Sequence, residues 1–351
     1  MSDSTFGQRY KKYQVVEKIR ESENITSILL APVNSDEVPP FKAGQYITIR
    51  IDDNTVRTYT VSSGPHERRH YRISVKREPS SGEGFQPGRA SGYIHDDLEV
   101  GCLLDVMEPR GDFYLNHTGD GAVALISGGV GLTPMVSMLH ALIEGNRHVA
   151  FIHACENGSV HALDGEVAEL SQSREGIRKF YAYRNPTDAD RSQQKYHLEG
   201  VLTAEVLRDL LPPHCECYLC GPPPFMKAVY EALRALGVPK ERIHYEFFGP
   251  STVLDSDDVT EANPRVTSTV VFKRSRKRLD WNGFEGSILE FAEANGVKPS
   301  YGCRAGICSS CECDLLAGEV SYLSEPLDPP PGDRILPCIT VPSSDEIELD
   351  L

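Results

Sequence analysis

Four cysteines carry the most chemical information in this chain: Cys303, Cys308 and Cys311 in the run CRAGICSSC, and Cys338 in LPC. Thiolates spaced C-x4-C-x2-C with a distant fourth can hold a two-iron, two-sulfur cluster, the small residues between them letting a loop wrap one side of it. A cluster of that kind passes single electrons. The competing reading is a zinc knuckle or a set of unrelated buried thiols. Zinc sites usually pair their cysteines as two C-x2-C units, whereas the first spacing here is x4. A fifth cysteine, Cys313, follows Cys311 at a strand-like spacing and reads as a small buried filler.

The elements that must position these thiols are legible on either side. Residues 266–272 and 279–281 read as a hairpin, and Ser287-Ile-Leu-Glu-Phe-Ala-Glu-Ala-Asn-Gly296 reads as a short amphipathic helix stopped by glycine just before the cluster loop. Residues 265–351 resemble a plant-type ferredoxin domain. The resemblance implies a β-grasp (α+β) fold with Cys303, Cys308, Cys311 and Cys338 as the metal ligands and Cys313 outside the ligand set. The basic tract Lys273-Arg-Ser-Arg-Lys-Arg278 is open to two readings, a docking patch or a solvated hairpin tip.

A chain of 351 residues has room for two to three domains, each with its own core. Its net charge of -15 argues against general nucleic-acid binding, because a polyphosphate would be repelled. Met1 to Tyr10 has no apolar core for a signal peptide, and no run of eighteen apolar residues occurs anywhere. Ten cysteines in a chain this long fit a reducing compartment better than a disulfide framework. A cytoplasmic protein without a membrane partner is therefore expected. Composition shifts around residues 116–121 (NHTGDG) and again at 251–264, where the chain turns polar and acidic like a linker. The expected division is one domain over 8–115, a second over 116–250, a linker over 251–264 and the ferredoxin-like domain over 265–351.

In the first of these, residues 13–19, 25–31, 46–51, 57–62, 71–76 and 103–108 read as strands rich in β-branched and aromatic residues, which predicts a closed β-barrel. Within it, Arg57-Thr58-Tyr59-Thr60 matches the R-x-Y-S/T signature of the ferredoxin-NADP reductase superfamily. Ala43-Gly-Gln-Tyr46 resembles the PGQY element, with alanine in place of proline. Tyr71-Arg-Ile-Ser-Val-Lys76 and Gly88-Arg-Ala-Ser91 resemble the strand and the pyrophosphate-binding helix start of the FAD-containing members. The resemblance implies that Tyr46, Arg57, Thr58, Tyr59, Thr60, Lys76, Gly88 and Ser91 bind the flavin, with Arg57 on the diphosphate, Tyr59 on the isoalloxazine and Thr60 near N5. Ser91 is expected to cap its helix. Ala90 stands where the FMN branch has the second glycine of GGS, which favours FAD.

The second segment alternates strand and helix as a parallel sheet with covering helices must. Its expected strands are 122–127, 148–154, 178–183, 216–220 and 242–246. The first ends in Gly128-Gly-Val-Gly-Leu-Thr-Pro134, where glycines let the backbone close on a pyrophosphate and Pro134 opens a helix over 135–143. The alternative is an ordinary strand-to-helix turn. The motif is not GxGxxG; it resembles the GxGxxP nicotinamide-nucleotide motif of the reductase superfamily, which implies cofactor contacts from Gly129, Val130, Gly131, Leu132, Thr133 and Pro134. Tyr218-Leu-Cys220-Gly221-Pro222 resembles the CGP element that places a cysteine beside the nicotinamide. A rival reading takes Cys215, Cys217 and Cys220 as metal ligands, but strand alternation puts Cys215 and Cys217 on one face and Cys220 on the other, and a fourth ligand is missing.

His153-Ala-Cys-Glu-Asn-Gly-Ser-Val-His-Ala162, Tyr183-Arg-Asn-Pro186 and Ile243-His-Tyr-Glu246-Phe247-Phe248-Gly249-Pro250 narrow the resemblance to the reductase half of flavohaemoglobins, over residues 11–254. It implies that Phe248 lies against the flavin where nicotinamide enters, with Phe247, Gly249 and Pro250 also at the cofactor and Thr60, Cys220, Glu246 and Phe248 at the reacting atoms. Phe247 stands where that family commonly has cysteine, and a core strand end is the alternative for both phenylalanines. No globin segment precedes the module, so nitric oxide dioxygenation by this chain alone is not expected. The chemistry implied is hydride transfer from NADH, with NADPH as a minor or equal donor, to FAD, then single electrons to the 2Fe-2S cluster and on to a separate acceptor protein. Glu156, after the second strand of the nucleotide segment, favours NADH by repelling a 2′-phosphate, with Arg184 and Arg191 as the residues able to reach back. Three acceptor readings are weighed: the reductase component of an iron-dependent oxygenase or demethylase, the reductase of a hybrid-cluster or other metalloprotein in nitrogen-oxide metabolism, and a non-catalytic redox-sensing module. Retention of the flavin and nucleotide motifs argues against the last.

Overall fold

The structure is a computed structural model that describes residues 10–52, 55–78, 89–116, 119–248, 267–284, 286–302, 304, 306, 309–323, 326 and 329–351. It divides into two compact units, Met1–Ile49 with Thr58–Phe248, and Arg50–Arg57 with Gly249–Leu351. The expected linker 251–264 lies outside the described residues.

Six strands open the chain: β1 Lys11–Arg20, β2 Ile25–Pro32, β3 Tyr46–Asp52, β4 Thr55–Thr60, β5 Tyr71–Lys76 and β6 Leu103–Arg110. They pair in the order β4-β3-β6-β1-β2-β5. An antiparallel bridge between Val61 and Ile73 links the end of β4 to β5 and closes the expected barrel. Alternation explains the interior: Tyr13 and Val15 on β1, Ile28 and Leu30 on β2 and Ile47 and Ile49 on β3 are all buried. The strand expected at 57–62 runs two residues earlier, with Val61 reduced to a single bridge. Helix α1, Arg89–Asp96, is held to the barrel by His95, whose Nε2 lies 2.8 Å from the Val75 carbonyl and Nδ1 3.2 Å from Thr26 Oγ1.

A second sheet contains β7 Val123–Gly128, β8 Val149–Cys155, β9 Ile177–Tyr183, β10 Leu198–Glu199, β11 Glu216–Cys220 and β12 Ile243–Glu246, in the order β10-β9-β8-β7-β11-β12. Every pairing in it is parallel. Helices α2 Leu132–Leu142, α3 Asp164–Gln172, α4 Asp188–Gln193, α5 Ala204–Leu210 and α6 Pro223–Ala235 accompany it. All six residues of β7 are buried, as a central parallel strand covered on both faces requires. The chain runs outward from β7 to β8 and later returns to place β11 on the other side. That reversal makes the carboxyl ends of β7 and β11 the switch point of the sheet, the place where open α/β sheets form a ligand crevice.

The remaining strands are β13 Thr269–Phe272, β14 Lys277–Asp280, β15 Cys313–Ala317, β16 Val320–Tyr322, β17 Arg334–Ile335, β18 Thr340–Pro342 and β19 Glu346–Leu349, with helix α7 Ile288–Ala294. β13 and β14 form the expected hairpin, β19 runs parallel beside β13, and Phe272, Trp281, Ile288 and Phe291 share the core. The sequence itself starts and stops α7. Ser287 Oγ accepts the Glu290 N–H while Glu290 Oε2 accepts the Ser287 N–H at 2.8 Å, and Gly296 beyond the last turn takes φ +68°.

Candidate functional site

The Gly128 to Pro134 turn is shaped by close approach. Gly129 to Gly131 form one turn of 3-10 helix, and α2 begins at Leu132 rather than after Pro134. Proline is accepted at its third position because the first N–H groups of a helix have no intrahelical partner. A Cβ on Gly131 would sit 2.3 Å from the Cys220 carbonyl oxygen, so only glycine lets this turn meet the end of β11. A Cβ on Gly128 would lie 2.9 Å, and one on Gly221 2.6 Å, from the Phe225 ring. Phe225, in the first turn of α6, thus closes over both glycine segments, a role its place beside Pro224 does not announce.

Register brings three side chains together at the strand ends: Cys220 on β11 is opposite Ser127 on β7 and Glu246 on β12. Cys220 is fully buried, and burial, reinforced by Glu246, pushes its thiol well above the ordinary range. Burial also raises the Glu246 carboxyl to about 8, and its Oε2 is enclosed with no hydrogen-bond partner. At neutral pH this is an uncharged acid at the crevice mouth. Phe247 packs edge-on against Tyr245, and Phe248 is 44% exposed at the end of the unit. A buried strand-end aromatic is thus excluded for Phe248. Gly249 and Pro250 lie outside the described residues.

On the barrel side, β4 buries Thr60, whose Oγ1 also lacks a partner. Arg57 is half-buried and donates from Nη1 to the Val56 carbonyl at 2.7 Å; Thr58 and Tyr59 are half-buried on the same strand. Tyr46 packs its ring against Gly111, where a Cβ would come within 2.7 Å. Gln45 ties this region together, donating to the Gly111 carbonyl at 3.2 Å and accepting the Val61 N–H through its own carbonyl at 2.9 Å. Lys76, at the end of β5, pairs with Glu78 at 3.4 Å. Ser91 does not stand ahead of its helix as expected. α1 begins at Arg89, so Ser91 falls inside the first turn, and its Oγ accepts the Glu78 N–H at 3.2 Å. Gly88 lies outside the described residues.

Two buried polar networks underlie the crevice. His153 is fully buried with Nδ1 2.9 Å from Ser127 Oγ, and His161 Nδ1 is 2.8 Å from the Tyr183 hydroxyl. Burial drives His153 well below its ordinary pKa, and burial with Lys179 and Lys195 brings His161 to about 4. Both imidazoles are neutral, so these motif histidines brace the sheet rather than titrate. Between barrel and parallel sheet, Arg72 on β5 grips Glu166 on α3 with two bonds of 2.6 and 2.8 Å, and His140 on α2 meets the same carboxylate at 2.5 Å. Burial alone would raise Glu166, but the His140 and Arg72 hydrogen bonds outweigh it and lower the carboxyl to about 2. Sequence spacing gives no sign of this three-element clasp.

Beyond β8, Glu156 receives the side-chain amide of Asn185 and, on its carbonyl, the Asn185 N–H at 2.8 Å. Arg191 is held by Glu199 at 2.9 Å, and the Arg184 N–H reaches the Cys155 carbonyl at 3.0 Å. In the second unit, Cys311 and Cys338 are buried in one apolar cluster with Leu289, Leu336 and Ile339, whereas Cys313 belongs to a different cluster, the β-sheet core. Cys303 and Cys308 lie outside the described residues. The basic hairpin faces the acids of β19 and the residue after it: Lys273 pairs with Glu348 at 2.8 Å, Arg278 with Glu346 at 2.7 Å, and Arg274 Nε with Asp350 at 2.9 Å. Exposed pairs add little stability, and they offset part of the charge of this solvated hairpin.

An antiparallel barrel followed by a parallel α/β sheet is a fold that many functions share, and comparison with known proteins gives its class. Family models described as an oxidoreductase FAD-binding domain, an oxidoreductase NAD-binding domain and a 2Fe-2S iron-sulfur cluster binding domain match residues 12–114, 125–231 and 275–343. The flavohemoprotein of Bacillus cereus (strain ATCC 10987 / NRS 248) is 41% identical over 253 residues, 70% of this chain but 62% of its own length. The chain thus spans under two thirds of that relative. The flavohem-like FAD/NAD-binding domain of nitric oxide dioxygenase from Vibrio cholerae O1 biovar El Tor is 37% identical, covered over 99% of its length and 68% of this chain, with a TM-score of 0.61. Phthalate dioxygenase reductase, described as a modular structure for electron transfer from pyridine nucleotides to [2Fe-2S], is 25% identical over 98% of both chains, with a TM-score of 0.63. The chain belongs to the ferredoxin-NADP reductase superfamily, as a flavohaemoglobin-type FAD/NAD reductase module joined to a 2Fe-2S ferredoxin domain. The three matched domains give FAD, NADH and a 2Fe-2S cluster as its cofactors. Among the described residues no helix is long and apolar enough to cross a membrane.

Proposed function

We propose that this chain passes electrons from NADH to a separate acceptor protein as the reductase component of an iron-dependent oxygenase or demethylase. The observation that carries this reading is the likeness to phthalate dioxygenase reductase along 98% of both chains, flavin, nucleotide and cluster segments together. Residues 8–115 carry FAD, 116–250 the nucleotide and 265–351 the cluster, joined through 251–264. When bound, FAD would supply an acceptor for the two electrons of a hydride that can pass them on one at a time.

The chain's own residues bind, orient and seal. Arg57 supplies a guanidinium for the flavin diphosphate, with Tyr46, Thr58, Tyr59, Lys76, Gly88 and Ser91 as the other flavin contacts. Thr60 Oγ1, buried and unpartnered, is free to hydrogen-bond the ring edge, and Glu246, neutral and unpartnered on Oε2, offers a donor rather than a charge. The N–H groups of Gly129 to Gly131 would hold the nucleotide phosphates at the start of α2, with Leu132, Thr133 and Pro134 as further contacts, and Cys220, Gly221, Pro222 and the exposed Phe248 would border the nicotinamide. Cys303, Cys308, Cys311 and Cys338 ligate the cluster. Glu156, held by Asn185, meets the free ribose hydroxyls of NADH.

Cytochrome c tests the order of transfer. NADH should drive its reduction by the holoprotein and fail to do so with Cys311→Ser, while ferricyanide reduction from the flavin persists in both. Equal cytochrome c rates with and without the cluster would show that electrons leave from the flavin, and the reading would fall.

A further inference from the structure

Cys215 and Cys217, which take no part in the site above, form a buried pair. Their sulfurs are 3.7 Å apart, with the two side chains on one face of β11 and Cys220 on the other. Cys215 precedes the first residue of β11, so its backbone is not locked by the strand ladder on both sides. Residues two apart in a strand have Cα atoms about 6.4–6.8 Å apart, the upper end of the range a disulfide spans. A bridge here is reachable with a small shift of Cys215. It is also strained, and strained bridges are the readily reduced, labile ones.

We propose that Cys215 and Cys217 are a reversible thiol–disulfide site oxidised by hydrogen peroxide. The Cys215 thiolate attacks one peroxide oxygen; an S–O bond forms, the O–O bond breaks, and the departing hydroxide takes a proton to leave as water. Cys217 then gives up its proton and attacks the Cys215 sulfur. The S–S bond forms, the S–O bond breaks, and a second water leaves. The two thiols lose two electrons and the peroxide gains them. The roles follow from the asymmetry of the pair. Cys215 stands just before the first residue of β11 and keeps 4% of its surface exposed, whereas Cys217 is fully enclosed within the strand. Cys215 is therefore the nucleophile and Cys217 the resolving thiol.

The test treats the holoprotein with hydrogen peroxide, removes the excess with catalase, alkylates free thiols in denaturant and follows the tryptic peptide from Asp209 to Lys227 by mass spectrometry. Before oxidation it carries three alkyl groups. Afterwards it should carry one, on Cys220, be two hydrogens lighter in the rest, and regain all three when a thiol reductant precedes alkylation. Cys217→Ser should stop at a sulfenic acid on Cys215 that dimedone traps, and Cys215→Ser should give neither bridge nor adduct. Three alkyl groups after oxidation, a bridge to Cys220, or dimedone labelling at Cys217 in the Cys215→Ser protein would each overturn the proposal. The wild-type measurement stands even if a variant fails to fold.

Discussion

Replacing Glu246 by glutamine should flatten the pH dependence of stability on the alkaline side. Burial holds this carboxyl neutral in the folded protein, with a pKa of about 8 against an ordinary value of 4.5. As pH rises, the unfolded chain releases this proton first, so the stabilisation is full below the ordinary value and is lost as pH climbs through about 8. Worked through proton linkage, the loss is about 2.5 kcal/mol between pH 5 and pH 7 and about 1.4 kcal/mol more between pH 7 and pH 9. In a folded unit of this size each kcal/mol moves the melting temperature by about 2–4 °C, so the second interval alone is worth about 3–6 °C. Glutamine fills the same space, cannot ionise, and removes this contribution. The assay is thermal release of fluorescent flavin from the two holoproteins in matched buffers from pH 5 to pH 9. The wild-type midpoint should fall relative to the variant across the whole range. Parallel curves would refute the reasoning, because they would mean the carboxyl finds water or a partner and is not held neutral by burial.

The opposite limb belongs to Glu166, whose carboxyl lies at about 2 in the folded protein, so its contribution is complete above the ordinary carboxylate range and is lost as pH falls through about 2. Glu166→Gln should cost about 3 kcal/mol near neutrality by leaving Arg72 buried without its partner, and should flatten the acid limb in the same melting assay; an unchanged midpoint would contradict it. Serine at Cys303, Cys308, Cys311 or Cys338 should abolish the visible absorption of the cluster, whereas Cys313→Ser should keep it; survival without Cys308 but not without Cys313 would overturn the ligand set. Glu156→Arg should move the kcat/KM ratio towards NADPH by about 10-fold or more, the worth of a charged hydrogen bond to the 2′-phosphate. A ratio unmoved in steady-state rates would place the ribose elsewhere.

Much of the fold was legible because its signals are local. Strand alternation marked the barrel strands, yet β4 came two residues early and the closing contact at Val61 and Ile73 carries no sequence signature. The glycine turn after β7 was legible as a phosphate loop. The need for glycine at 131 was not, since the obstacle is a carbonyl of Cys220 far away in sequence. Ser91 was misplaced relative to its helix because helix starts are set by the turn before them as well as by the capping residue.

By itself the sequence determined the chemistry that depends on neighbours along the chain: thiols at cluster spacing, a glycine-rich turn at a strand end, the R-x-Y-T strand, and Cys215 and Cys217 on a face opposite Cys220. Each follows from a fixed backbone repeat or a loop short enough to act as one ligand. Tertiary structure alone decided which side chains are charged and which are satisfied. Parallel register set Ser127, Cys220 and Glu246 side by side; packing made Glu246 a neutral acid and left Thr60 Oγ1 without a partner; and the meeting of β5, α2 and α3 produced the Arg72, Glu166 and His140 clasp. Three charges of the basic hairpin, which in one dimension was open to a docking-patch or a solvated-tip reading, are paired by β19 and the residue that follows it. Charge state and hydrogen-bond satisfaction depend on the solvent and partners around an atom, and those are fixed only when distant segments pack together.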